Sequence, residues 1–339
     1  GGEYLMDGTE AMRNRPMIEL LSCLEAIGSN IEYREKNGHF PFTLKCNGLY
    51  GNSIRIDARK SGQNISGLLM QSPRLGNKCN ITFPQGTVSL PFIEMTLKMM
   101  SEFNENESYK YNLLNNSIDV ENCTYKKSDF SYRIEPDATA ASYFLTLPLI
   151  VGGECFVEGL KPVMLQGDIA YSDVLKSIGG RIEYIAEGVK SYSHKTLNGG
   201  AFNFVDISDT FLTLAAVSPL LGSKLEIFGI EHTRKQETDR VSAMATELRK
   251  LGQDVVEKPD RLIINPNLNK LRELAQHGVS VDTYQDHRFA MSFAILGSFD
   301  LYETGKPWLS INNPGCCSKT FPGFFDCLNS AYHDSHEQK

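Results

Sequence analysis

Four stretches of this chain follow one plan, and that repetition limits the possible folds more than any single motif does. Each runs from an amphipathic helix into a strand, a polar turn and a second strand. The stretches are "PMIELLSCLEAIGSNIEYREKNGHFPFTLKCNG", "PFIEMTLKMMSEFNENESYKYNLLN", "YSDVLKSIGGRIEYIAEGVKSYSHKTL" and "VSAMATELRKLGQDVVEKPDRLIINPN". In the first, Ile18, Leu21, Cys23, Leu24 and Ile27 make an apolar stripe at helical spacing, and "NIEYRE" then alternates as a strand does. The helix ends fall at Gly28, about Asn104, Gly179 and Gly252. They are roughly 75 residues apart, longer than a usual solenoid period.

A second helix type interleaves with the first. It is short, rich in small residues and almost wholly apolar: "QNISGLLMQSPRL" from Gln63, "DATAASYFLTLPLIVGG" from Asp137, "DTFLTLAAVSPLLG" from Asp209 and "DHRFAMSFAILGS" from Asp286. A helix apolar all round is a buried one. Three of the four open on Asp, which accepts hydrogen bonds from free N–H groups and suits the positive end of the helix dipole. The expectation is an α/β chain of βαβαββ units, each with one buried and one half-exposed helix. Where such units pack about a pseudo-symmetry axis, helix N-termini share a direction and create a place for anions. The break falls near "YRIEPDATAAS", giving a first domain at 1–134 and a second at 135–339. The first shows fewer repeats and reads as incomplete at its N-terminus.

Length and apolar content, 339 residues and 41%, suffice for two such domains. The net charge of −7 argues against a nucleic-acid partner, although basic side chains gathered in one cleft can still hold a small anion. No run of about 18 apolar residues exists to span a membrane, and the N-terminus lacks a signal-peptide layout. The eight cysteines are scattered without a C-x-x-C pair, a pattern that fits a cytoplasmic protein better than a disulfide scaffold or zinc site.

Basic groups concentrate in three patches beside apolar elements. "HTRKQETDR" at 232–240 places Arg240 three residues after Glu237, on one face of the coming helix. "YQDHRFAM" sets Asp286, His287 and Arg288 at the start of a buried helix, and "CCSKTFPGFFDCL" sets Lys319 ahead of a Phe-rich run. Charges there need partners, because burying one alone is costly. Simpler roles compete with chemical ones: Glu237 and Asp239 as favourable charges at a helix start, Asp209 as an N-cap, His287 as a structural ring, Lys319 as a surface residue. The sequence has no G-x-x-x-x-G-K-[ST], no G-x-G-x-x-G after a strand, no H-E-x-x-H and no G-x-S-x-G. P-loop phosphoryl transfer, Rossmann redox chemistry and zinc hydrolysis lose support accordingly.

Five collinear motifs, "EPDATAASYFL", "MLQGDIAYSDVLKSIGG", "ETDR" with "VSAMATELRKLG", "YQDHRFAMSF" and "CSKTFPGFF", resemble those of the 5-enolpyruvylshikimate-3-phosphate synthase family. The likeness runs from about residue 4 to about residue 328. It implies a two-domain inverted α/β barrel-like fold of βαβαββ units. It also implies transfer of the enolpyruvyl group of phosphoenolpyruvate to the 5-hydroxyl of shikimate 3-phosphate, with no metal or organic cofactor. By this resemblance Arg15, Gln63, Arg240, Arg288 and Lys319 hold phosphoenolpyruvate. Ser61, Gln63, Ser89, Asp209, His232 and Gln236 meet shikimate 3-phosphate. Asp209 is the general base, Glu237 exchanges the proton at the enolpyruvyl carbon, and Lys235, Asp286 and His287 support the site. Gln236 stands where the family usually has lysine, and His232 where asparagine is common. The family's N-terminal lysine–serine pair and "NAGT"-type motif have no counterpart here, so a missing N-terminal segment of the same protein is an expected partner. A related transferase acting on a UDP-amino sugar, and a homologue that binds without turnover, are the other readings.

Overall fold

The structure is a computed structural model describing residues 1–59, 62–75, 78–88, 90–106, 110–126, 131–192 and 196–337. The chain divides into two units, Gly1–Tyr132 and Arg133–Lys339, each with its own core.

The first unit opens with β1 (Gly2–Met6), a single turn α1 (Glu10–Arg13), then α2 (Ile18–Ala26), β2 (Ser29–Tyr33) and β3 (Phe42–Cys46). Both β1 and β2 pair antiparallel with β3. Next come β4 (Ser53–Arg55), α3 (Gln63–Gln71), β5 (Lys78–Thr82), α4 (Leu90–Glu102), β6 (Tyr111–Leu114) and β7 (Ser117–Glu121). Their sheet has the order β4-β5-β7-β6, with β4 and β5 parallel and the remaining pairs antiparallel. A parallel pair needs a crossover, and α3 supplies it, completing a βαβαββ unit. Ile65, Leu68 and Leu69 of α3 and Ile93 and Leu97 of α4 are fully buried beneath this sheet's apolar face.

The second unit begins with α5 (Ala138–Val151), β8 (Glu154–Glu158), α6 (Tyr171–Ser177), β9 (Arg181–Ile185) and β10 (Gly188–Tyr192). It continues with β11 (Ala201–Asn203), α7 (Phe211–Val217), β12 (Leu225–Phe228), α8 (Arg240–Lys250), β13 (Asp254–Lys258) and β14 (Arg261–Asn265). It ends with α9 (Leu268–Leu274), β15 (Val279–Val281), α10 (His287–Gly297), β16 (Leu309–Ile311) and α11 (Phe324–Glu337). The sheets are β8-β10-β9, β11-β12-β14-β13 and the parallel pair β15-β16. The second repeats the order and strand directions of the four-stranded sheet in the first unit.

Glycine ends three of the four repeated helices. Gly28, Gly179 and Gly252 each lie two residues past their helix with φ of 110°, 105° and 78°, the left-handed turn that frees the chain to start a strand. Asn104 takes the matching place after α4 without a positive φ. It is buried, and its side-chain oxygen accepts from the N–H groups of Asn106 and Thr124, both at 3.2 Å.

Three helices of the second type are buried as their composition requires. All seven residues of α7, nine of the eleven in α10 and eleven of the fourteen in α5 lie inside. α10 packs against both α5 and α7, and Ser142 shares a 3.2 Å hydrogen bond with Thr213 across the α5–α7 contact. α3 departs from the expectation of full burial: only Ile65, Leu68 and Leu69 are buried, because Gln63, Asn64 and Ser66 give it a polar face. Among the described residues no helix is long and apolar enough to cross a membrane, and no group of three or more His, Cys, Asp or Glu is placed to hold a metal ion.

Candidate active site

Short turns at the N-terminal ends of α7, α8 and α10 bring charged side chains of the second unit together. Asp209 precedes α7, but Thr210 occupies the cap position of that helix. The Asp209 carboxylate instead accepts from Arg240 Nη1 at 2.8 Å and from Arg288 Nη2 at 2.7 Å. The capping role is therefore excluded for Asp209 and kept for Asp137 and Asp286, which accept from Ala140 N and Arg288 N.

Arg240 is the first residue of α8, so Glu237 sits in the turn before the helix rather than on its face. The two still meet, at 2.9 Å, because three residues of tight turn span the same distance. The Arg240 guanidinium is 2% exposed and fills its donor fork with Asp209, Glu237, the Gln236 side-chain oxygen and Asp286, the last at 2.7 Å from Nε. A cation at the positive end of a helix dipole is unfavourable, and these carboxylates offset it.

Glu237 bridges outward. Its second oxygen accepts from Lys319 Nζ at 2.6 Å, and Lys319 is half exposed at the end of the 3-10 turn Pro314–Lys319. Burial would raise the Glu237 carboxyl, but Arg240 and Lys319 hold it far below the usual range. Asp209 behaves alike: burial opposes its charge, and Arg288 and Arg240 prevail. Both carboxylates are thus ionised at neutral pH, and the neighbouring cations that keep them so also weaken them as bases.

His287 is buried, and neither ring nitrogen has a hydrogen-bond partner among the described residues. Burial, then the positive Arg288, push it down to about 4, so the ring is neutral. Arg288 Nε is likewise buried without a partner.

The remaining predicted residues divide. His232 lies close by, its Nε2 at 2.9 Å from Ser208 Oγ, and burial lowers its pKa. Lys235 is exposed at the end of the 3-10 turn Glu231–Lys235. Arg15, in the turn after α1, and Gln63, the first residue of α3, belong to the first unit. Ser61 and Ser89 lie outside the described residues.

Within "HTRKQETDR" the charges separate by role. Arg234 is tied to structure: it donates to Asp239 and Glu257, both at 2.9 Å, and to the carbonyls of Lys258 and Pro259 at 2.8 Å. Asp239 also caps α8 through Ser242 N. One group went unnoticed in the sequence. Asp168, in "MLQGDIAYSDVL", is 6% exposed and accepts from Thr139 Oγ1. Burial lifts it to about 6, with Asp209 and Arg288 acting on it from the site. Only the buried Thr139 partner marks it out, and the linear sequence does not show that.

This fold is shared with solved enolpyruvyl transferases. EPSP synthase of Acinetobacter baumannii superposes with a TM-score of 0.75 at 21% identity, over 97% of this chain and 73% of that one. The enolpyruvyl transferase NikO of Streptomyces tendae gives 0.66 at 13% identity, over 97% and 72%. The architecture is that of an enolpyruvyl transferase. The family model described as EPSP synthase (3-phosphoshikimate 1-carboxyvinyltransferase) matches residues 1–328, and the chain belongs to that family. A 3-phosphoshikimate 1-carboxyvinyltransferase of Opitutus terrae is 45% identical over 332 residues, which cover 96% of this chain and 71% of the relative. One of Nostoc punctiforme is 36% identical, covering 96% and 72%.

Proposed function

We propose that this chain transfers the enolpyruvyl group of phosphoenolpyruvate to the 5-hydroxyl of shikimate 3-phosphate and releases phosphate. The observation that carries the reading is the cluster itself: Arg240, Arg288 and Lys319 interlocked with ionised Asp209 and Glu237. Membership of the family supplies the substrates. The planar fork of Arg288 matches a carboxylate or phosphate in two-point contacts, Arg240 does so on exchanging part of its carboxylate shell for the ligand, and Lys319 adds a half-exposed charge from the solvent side. Arg15, Gln63, Ser61, Ser89, His232 and Gln236 take their ligand roles from the family likeness. Asp286 fixes Arg240 and the start of α10 behind the ligands.

Asp209 accepts the proton of the attacking hydroxyl as the new C–O bond forms at the enol carbon. Glu237 must then deliver a proton to the methylene carbon, although it is ionised at rest. Ligand binding resolves this. The phosphoenolpyruvate anion draws Arg240 and Lys319 toward itself, and Glu237 loses the charges that depress its pKa. It takes up a proton from solvent, gives it to carbon, and takes one back from the new methyl group as phosphate leaves the tetrahedral adduct with the proton that Asp209 took from the hydroxyl. Return of the Glu237 proton to solvent resets the site. Each such proton transfer contributes about 10²–10⁴-fold, and the cations stabilise charge on the departing phosphate. A cytoplasmic site of action accords with eight free cysteines.

The test is phosphate release on mixing both substrates. It is run with the chain alone, and with the further length of its relatives supplied as a separate polypeptide, because this chain spans 71–72% of those two relatives. Release in either arm supports the reading, and none in both refutes it. Release with a UDP-amino sugar in place of shikimate 3-phosphate moves the chain to that branch. Calorimetric binding of shikimate 3-phosphate without turnover marks a binding module.

A further inference from the structure

The three cation-bearing segments are joined a second time, behind the site. Glu247, two turns along α8 from Arg240, is fully buried. It accepts from the Tyr284 hydroxyl, from the backbone N–H of Asp282 at 3.1 Å and from Lys250 Nζ at 2.9 Å. Lys250 also donates to the Asp282 carboxylate at 2.6 Å, whose other oxygen accepts from Asn312 Nδ2 at 2.7 Å. Burial would depress the Lys250 ammonium, but its bonds to Asp282 and Glu247 hold it above the ordinary range. Asn312 closes the circuit: its N–H donates to the Val281 carbonyl and its carbonyl accepts from Thr283 Oγ1, both at 2.9 Å. Lys319 lies seven residues beyond Asn312, at the end of the adjoining 3-10 turn.

The backbone shows why such a brace is needed. Tyr284 and Gln285 are consecutive left-handed residues with φ of 53° and 59°, an unfavourable conformation for side chains other than glycine. They immediately precede Asp286, which both grips Arg240 and caps the helix bearing Arg288. Arg240–Asp286 fastens this turn to the start of α8, and Tyr284–Glu247 fastens it two turns later. Two attachments fix its rotation where one would leave a hinge.

We infer that Glu247 is a positioning residue that, through Tyr284, Lys250, Asp282 and Asn312, holds the segments bearing Arg240, Arg288 and Lys319 in the register required to grip the substrate anion. The inference rests on the proposed function for its kinetic consequence but not for its structural one. It is tested on the full chain with Glu247→Ala, Glu247→Gln and Tyr284→Phe, by amide hydrogen exchange and by kcat and KM for phosphoenolpyruvate. In Glu247→Ala, exchange at residues 281–288 and 312–319 rises together. KM rises about 10- to 10²-fold, as expected when binding groups drift by about an ångström, while kcat changes less than threefold. Glu247→Gln recovers part of the loss, because the amide oxygen still accepts from Tyr284 while its NH2 group can no longer accept from the Asp282 N–H. Should Glu247→Ala not fold, Tyr284→Phe carries the same measurements with one hydroxyl removed. Exchange that rises only within α8, or a KM within twofold of the unaltered chain, overturns the inference. If the unaltered chain neither binds nor turns over phosphoenolpyruvate, the functional reading fails, and joint exposure of the two segments still decides the brace.

Discussion

Replacing Asp209 with Asn preserves shape and removes one negative charge from between two guanidiniums at 2.8 and 2.7 Å. Its consequences pull in opposite directions. Arg240 keeps Asp286 and Glu237, so its loss is slight. Arg288 has no other carboxylate in salt-bridge contact among the described residues, so the cost falls there. Breaking a buried pair costs about 3–5 kcal/mol. The low end, about 3 kcal/mol, applies here, because Asp209 retains 22% exposure and Arg288 15%. Affinity for phosphoenolpyruvate should increase, since the ligand no longer competes with Asp209 for Arg288. Turnover should fall about 10²–10⁴-fold, the typical contribution of a general base. Urea unfolding gives the first quantity, calorimetry the second and phosphate release the third. Tighter binding with slower chemistry is a signature that misfolding does not imitate. Turnover within threefold of the unaltered chain, or affinity and turnover falling in parallel with the folded fraction, would refute the assignment of Asp209 as base.

Lys319→Ala should leave stability within about 0.5 kcal/mol, because the half-exposed ammonium makes only a screened ion pair, yet raise KM for phosphoenolpyruvate severalfold in the phosphate-release assay. Asp168 gives a pH signature. Its folded pKa, about 6, lies above its unfolded value of 3.8, so the folded state holds the extra proton and stability declines as pH rises through that window. Asp168→Asn should remove this slope, gaining about 3 kcal/mol relative to the unaltered chain between pH 4 and pH 7 in urea titrations. Equal slopes in the two proteins would contradict the buried-acid assignment. Gly252→Ala should cost about 1–2 kcal/mol by thermal unfolding, since φ is 78° and the new methyl carbon would lie 2.6 Å from Lys270 Cγ.

Local signals made the modules legible. Glycines after α2, α6 and α8, and alternating strands beyond them, encode stop and restart within a few residues. The identities of the buried helices could be read from composition, except α3, whose polar face was hidden by its small residues. At the site, clustering of basic residues was visible but not their division of labour. Arg234 and Arg240 look equivalent in "HTRKQETDR", and only the β13–β14 turn, more than 20 residues later, claims one of them. Glu247 resembles an ordinary solvent-facing residue of α8. Its partners Asp282 and Tyr284 lie 35 and 37 positions away, beyond the reach of any helical pattern. Left-handed Tyr284 and Gln285 carry no turn residue to announce them.

Both four-stranded sheets begin at an outer strand of three residues, Ser53–Arg55 in one and Ala201–Asn203 in the other. Such a rim offers a foreign chain only a few rungs of unpaired backbone, too few to nucleate intermolecular pairing. Brevity at these two borders limits edge-to-edge joining there, and leaves the opposite borders, Tyr111–Leu114 and Asp254–Lys258, as the longer rims of the two sheets.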